Sequence, residues 1–313
     1  MLNNILKILK DGLYNILVLG PRTLFFKKLF PVWQGLGFYL IPNHFYEPIP
    51  DTRTLSDKIW TEQLTLNSIN FFIKDQFKLL GTITKKFKKE YLEFPLNPTN
   101  DHFQYYVNNS SFGSVDGEIL YCIIRYFKPK KIIEIGSGFS SLLAESGLKK
   151  NKQYGQNSKF TIIDPYPSEN IRSNFPRKFS LIKKRVQDVH PSQFLELENN
   201  DILFIDSTHV LKIGSDLHFL FLKILPILKK GVIVHFHDIF LPKEYPKDHV
   251  LKRYYFYNEQ YFLYTFLLFN NSFKVLLASS YLNSNYRKIL TKYFPSLTRK
   301  KSNPASFWIQ KIR

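Results

Sequence analysis

The chain has 313 residues, 44% of them hydrophobic and 17% aromatic, which is enough apolar side chain to offset chain entropy and excludes a disordered protein. A single cysteine, Cys122 within ILYCIIRYF, excludes an internal disulfide and reads as a small buried hydrophobe. The formal net charge of +19 accompanies no RNP, zinc-finger or helix-turn-helix pattern, so the excess Lys and Arg are expected on solvated faces, with no specific nucleic acid as partner and peripheral contact with an anionic membrane left open.

The N-terminal stretch is broken by Lys7, Lys10, Asp11 and Pro21 before any span reaches bilayer length, so no signal peptide is expected and the expected compartment is cytoplasmic. Residues 1–110 show no alternation of strand and helix. They carry helical candidates near 2–18 and 55–90, separated by a segment that Pro42, Pro48 and Pro50 keep irregular, and are expected to form an N-terminal helical cap or lid. Residues 111–313 then form the main domain. It opens with a helix whose N-cap is expected at Ser114, whose first turn holds Asp116 and Glu118, and which stops at Pro129.

From Lys131 the pattern alternates. KIIEIG, KFTIID, KFSLIKKRV, DILFID and GVIVHFHD are five short apolar runs; FSSLLAESGL, ending at Gly147, and a stretch from about Ser215 to Leu228 are helices between them. Buried runs joined by helices give an α/β, doubly wound, mostly parallel sheet with right-handed crossovers and helices on both faces. After the helix NEQYFLYTFLLF come FKVLLASSY and ASFWIQKI, with no helix-length apolar pattern between them, so they are expected to close the sheet as an antiparallel pair.

Open parallel sheets bind ligands beyond the carboxyl ends of their strands. The first strand runs into Glu134, Gly136, Ser137 and Gly138, where glycines let the backbone turn tightly and approach a ligand. The second ends at Asp164, whose carboxylate can accept hydrogen bonds from both ribose hydroxyls. A dinucleotide fold prefers a third glycine at the position of Ser141, and its pyrophosphate gains nothing from Glu134. An acid at the end of a buried strand suits a cationic ligand instead.

With E-x-G-x-G at strand one, an acid closing strand two, QDV after strand three and an acid closing strand four, the chain resembles the class I S-adenosylmethionine-dependent methyltransferases. It is most similar to a bacterial subgroup of uncharacterised methyltransferases, through HFYEPIPDTRTL, IIEIGSGFSSLLAE, NDILFIDSTHVLKIGSDLHFLFLKILP, VHFHDIFLPKEYP and YNEQYFL. The resemblance implies a seven-stranded sheet in the order 3-2-1-4-5-7-6 with strand seven antiparallel, S-adenosylmethionine as cofactor, and Gln187 and Asp188 near the adenine.

Asp206 ends strand four and His209 follows on the loop, a spacing that permits an Asp-oriented imidazole to take a substrate proton. On strand five His235 and His237 share a face, with Asp238 at the carboxyl end; His235 suits a core histidine, and His237 is a further catalytic candidate. Asp216 is a marginal member of the group. Asp206 and Asp238 could also hold Mg²⁺ or Mn²⁺, although Ile239 stands where metal-dependent small-molecule O-methyltransferases usually show Asn. His44, Tyr46 and Tyr245 are candidates for segments that close over the site.

The expectation is therefore O-methylation of a small or sugar-like hydroxyl, with Asp206 and His209 assisting deprotonation. The alternatives are an NAD(P)-dependent oxidoreductase and a non-catalytic basic protein that binds a membrane surface or nucleic acid. The oligomeric state is not legible in the sequence.

Overall fold

The computed structural model describes residues 25–41, 43–66, 68–173, 179–299 and 303–313; the helix expected at 2–18 lies outside them. By internal contact the chain divides into Met1–Ile59 and Trp60–Arg313. In the first unit, helix α1 (Phe25–Gly35) accommodates Pro31 and is followed by an irregular stretch. There the Asp51 carboxylate accepts hydrogen bonds from the Arg53 side chain and from Asn43, and these hold it well below the usual carboxylate range.

In the second unit the long helical candidate resolves into a short turn at Lys58–Thr61, shared with the end of the first unit, and helix α2 (Ile73–Leu92). Leu80, Ile83 and Tyr91 of α2 are buried in the same core as the sheet, so the contact boundary falls at residues 59 and 60 and not at the expected 110. Helix α3 (Asp116–Phe127) begins one residue later than expected. Val115 is its N-cap, Glu118 reaches back to accept from the Val115 N–H at 2.7 Å, and Ser114 Oγ pairs with Ser296 Oγ at 2.8 Å.

Seven strands follow: β1 (Lys131–Ile135), β2 (Lys159–Ile163), β3 (Phe179–Ile182), β4 (Ile202–Ile205), β5 (Ile233–Phe236), β6 (Phe273–Ala278) and β7 (Phe307–Lys311). They lie in the order β3-β2-β1-β4-β5-β7-β6, with β7 antiparallel to both its neighbours and the rest parallel, as the resemblance implied. The central strands are apolar on both sides because each side has a core. Leu203 and Ile205 face one cluster, Ile202 and Phe204 the other.

Helix α4 (Phe139–Lys152) runs past Gly147, which is small because a Cβ there would lie 3.0 Å from Ile124 of α3. The helical segment after β4 is one α-turn (Asp216–Phe219), capped by the Ser215 side chain, that widens into a π-turn (Leu220–Ile224) before Pro226. Helix α5 (Glu259–Leu268) matches the NEQY segment. Between β6 and β7 the chain makes three short helices, Ser279–Asn285, Arg287–Tyr293 and Ser296–Arg299, where none was expected; each is too short to print a helical period on the sequence.

The ladder continues past the strand ends. Asp206 N–H donates to Ile135 O at 3.0 Å and His237 N–H to Ile205 O at 3.1 Å, so the ends of β1, β4 and β5 are held side by side. Gly136 makes this packing feasible, with φ +93° and a Cβ position that would fall on the Asp206 carbonyl oxygen. Gly136→Ala is therefore expected to lose more than about 1 kcal/mol in urea denaturation. Gly138→Ala should stay within about 0.5 kcal/mol, because its backbone is extended and nothing lies near the added methyl.

Candidate functional site

A crevice of about 590 Å³ opens at the carboxyl ends of β1, β2 and β4, lined by Gly136, Ser137, Asp164, Gln187, Asp206 and Asp216 among others. Ser137 Oγ donates to Asp164 Oδ2 at 2.5 Å, and Asp164 Oδ1 accepts from the Tyr166 N–H at 2.8 Å, which aims the second-strand carboxylate at the first-strand loop. Gly138 N–H donates to Ser141 Oγ at 3.1 Å, so the serine that replaces a third glycine caps its own helix.

Glu134 lies beneath this loop and is buried. Its Oε1 accepts from Ser140 Oγ at 2.5 Å, while its Oε2 is buried with no hydrogen-bond partner. Burial, with the nearby charges of Asp206 and Asp164, pushes the carboxyl up to about 8 against the pull of the serine hydroxyls. A buried acceptor left unpaired costs a few kcal/mol, so this corner fits a ligand that brings positive charge or a donor.

Gln187 lines the crevice and donates through Nε2 to Gly214 O at 3.1 Å. Asp188, expected beside it, turns instead to Arg185 at 2.7 Å and does not line the crevice; Arg185 does. Asp216 clamps the loop after β4, its two carboxylate oxygens accepting from the Thr208 N–H at 3.0 Å and hydroxyl at 2.8 Å.

Beside this crevice the strand ends bring Asp206, His209, His237 and Asp238 together. His209 Nε2 is 3.3 Å from Asp206 Oδ1 and 3.7 Å from Asp238 Oδ2; His237 Nδ1 is 3.6 Å from Asp206 Oδ1 and 3.7 Å from Asp238 Oδ1. Both His209 (φ +58°) and Asp238 (φ +54°) hold left-handed backbone conformations, a strain that surrounding structure must impose.

Two acids that sequence reasoning left without a role complete the cluster. Glu259, the last acid of the chain, is buried at the first turn of α5, and His209 Nδ1 donates to its Oε2 at 2.8 Å. Asp116 lies 3.8 Å from His237 Nε2 and accepts from Ser279 Oγ and from the Ala305 and Ser306 N–H groups. The signal for Glu259 was the YNEQY motif, which staples the site loops. Asn258 and Glu259 donate backbone N–H groups to His209 O, Asn258 Oδ1 accepts from the Leu211 N–H at 2.6 Å, and Gln260 Oε1 accepts from the Phe240 N–H at 3.0 Å. Tyr245 is buried here and its hydroxyl accepts from the Gln260 N–H.

Burial alone would lower an imidazole's pKa, but the carboxylates of Asp206, Glu259 and Asp238 outweigh it at His209 and push it up to about 10. His237 is raised well above its ordinary value through Asp206 and Asp116, again against burial. Asp206 is correspondingly held far below the carboxylate range by the two imidazoles, despite its own burial. His235 behaves oppositely. It is buried, stacked on Phe204, bonded to Ser306 Oγ at 3.0 Å, and kept neutral by burial.

The divalent ion considered as a possibility at Asp206 and Asp238 finds no matching donor set: among the described residues no group of three or more His, Cys, Asp or Glu is arranged to hold a metal ion, and these two carboxylates face imidazoles instead. Nor is any helix among the described residues long and apolar enough to cross a membrane.

Residues 133–239 match a family model described as a methyltransferase domain. An uncharacterised protein of Archaeoglobus fulgidus is 36% identical over 178 residues, covering 54% of this chain and 78% of that relative. Among solved structures, a Plasmodium falciparum protein described as a protein-L-isoaspartate O-methyltransferase, in complex with S-adenosyl-L-homocysteine, aligns with 50% of this chain and 82% of its own at 13% identity. The TM-score of that alignment is 0.29.

The raised groups fix the sign of a pH dependence. Glu134 titrates at 4.5 when unfolded and about 8 when folded, so its contribution to stability is full below 4.5 and lost as pH rises through 8. His209, at 6.5 and about 10, contributes fully below 6.5 and loses that contribution as pH rises through 10. Urea midpoints are expected to fall across both windows. Glu134→Gln should flatten the lower one and Glu259→Gln the upper one.

Proposed function

We propose that the chain is a class I S-adenosylmethionine-dependent methyltransferase, a reading supported by the methyltransferase-domain match over residues 133–239 and by the order of its seven-stranded sheet, and that it methylates a hydroxyl of a small or sugar-like molecule, with the acid and imidazole cluster receiving the proton. The observation that carries this reading is that the cluster lines two crevices at once, its members in contact with one another. Asp206 lines the one built on the glycine loop; His237 and Asp238 line a second, of about 580 Å³, suited in size to a small metabolite.

The residues of the first crevice fit the donor. Asp164 suits ribose hydroxyls, Gln187 the base, and Asp206 the ligand's positive charge. When bound, S-adenosylmethionine supplies a methyl group already activated on a sulfonium. The protein's task is then to align the acceptor oxygen and take its proton.

His209 was the expected proton acceptor, but an imidazole pushed up to about 10 is already protonated at neutral pH. It suits a different part: the imidazolium, anchored by Glu259, holds the carboxylates of Asp206 and Asp238 in place. Asp238, partly open and facing the second crevice, is the better proton acceptor. The hydroxyl proton passes to its carboxylate as the oxygen gains the methyl.

Isothermal titration with S-adenosylhomocysteine tests the donor site, and no binding to folded protein at millimolar ligand would reject it. Asp238→Asn is expected to lower turnover by about 10²–10⁴-fold with S-adenosylhomocysteine affinity unchanged; unchanged turnover rejects Asp238 as the acceptor. Incubation of a metabolite extract with methyl-¹³C donor should put label into O-methyl resonances. Label appearing solely in N-methyl groups would overturn the hydroxyl reading.

A further inference from the structure

The second crevice is polarised. Its floor carries Asp116, His237 and Asp238, while its rim carries Lys247, His249 and Arg253 from the short segment that follows β5. The rim acid, Asp248, is engaged by Lys252 Nζ at 3.1 Å. Among the described residues no carboxylate closes a salt bridge with the Arg253 guanidinium. His249 is held below its ordinary value chiefly by burial, and its Nδ1 is buried without a hydrogen-bond partner. The Arg253 guanidinium is left to offer its donors to a ligand group in this crevice.

The facing wall is polar and preset. Asn109 makes hydrogen bonds to Tyr106 O, Phe112 O and the Ser111 and Phe112 N–H groups, which fixes the turn that sets Ser110 and Ser111 on the rim. We propose that this crevice takes an anionic, hydroxyl-bearing substrate, its phosphate or carboxylate group held at the rim by Arg253 and its hydroxyl delivered to Asp238 at the floor. The proposal rests on the methyltransferase reading for the hydroxyl end alone.

The charge layout gives orientation as well as affinity. A planar guanidinium pairs with phosphate or carboxylate through two parallel hydrogen bonds, whereas an anion turned toward the floor would meet the carboxylates of Asp238 and Asp116 beside a His237 ring already faced by Asp206 and Asp116. An acceptor with its negative group at one end and its hydroxyl at the other therefore binds one way round.

Calorimetric titration of the full chain with pyrophosphate and with citrate tests this without knowing the natural acceptor. Saturable binding of at least one is expected, weakened tenfold or more in Arg253→Ala, partly restored in Arg253→Lys, and unchanged in Lys229→Ala, which alters a lysine on the amino-terminal side of β5. Binding of pyrophosphate alone assigns a phosphate-bearing substrate, and binding of citrate alone a carboxylate-bearing one. Absence of saturable binding for both, or equal weakening in Lys229→Ala and Arg253→Ala, overturns the proposal. S-adenosylhomocysteine affinity, measured separately on each variant, reports folding. Its loss in the wild-type protein would reject the donor site and leave the anion result readable.

Discussion

One carboxylate oxygen, Asp206 Oδ1, faces two imidazoles, His209 at 3.3 Å and His237 at 3.6 Å. Each ion of this group would be expensive to bury alone, and none is alone. Glu259 anchors the far nitrogen of His209, Asp116 approaches the far nitrogen of His237, and Asp238 lies within 3.7 Å of both rings. Four carboxyl groups around two imidazoles still leave positive charge in short supply. In the neighbouring corner Glu134, its carboxyl pushed up to about 8, keeps one buried oxygen without a hydrogen-bond partner. The proposed cofactor would bring positive charge to the first need and a hydrogen-bond donor to the second.

The sheet order makes the cluster. β4 sits between β1 and β5, and the backbone bonds from Asp206 to Ile135 and from His237 to Ile205 bring three strand ends level. Gly136 then lets β1 turn against the Asp206 carbonyl without a side chain in the way. The result is one group of acid and imidazole side chains shared by two crevices, Asp206 lining one and His237 with Asp238 lining the other.

Much of this was legible as local pattern. Short apolar runs ending in Glu134, Asp164, Asp206 and Asp238 are visible because a buried strand has to be apolar and a polar residue at its end is conspicuous. Asp116 and Glu259 were not assigned, because each reads locally as an ordinary acid in the first turn of a helix; their partners lie 121 and 50 residues away, as the numbers of His237 and His209 show. Asp188 has a near partner that its spacing did not announce. Its place after strand three fits the resemblance, but Arg185 three residues earlier captures it. The short helices between β6 and β7 left no period to read, and α2 looked like part of a cap although it packs into the sheet's core.

The sequence by itself determined the alternation of strands and helices, the glycine turn and which acids stand at strand ends, since burial on both faces of a sheet and the turn after a strand impose residue types directly. Only the tertiary structure decided what surrounds His209. Its spacing from Asp206 allowed an imidazole base, whereas the distant Glu259 and Asp238, brought to it by α5 and β5, surround the ring with carboxylates and keep it protonated. A pKa is set by what is near in space, and sequence spacing fixes that for the nearest neighbours alone.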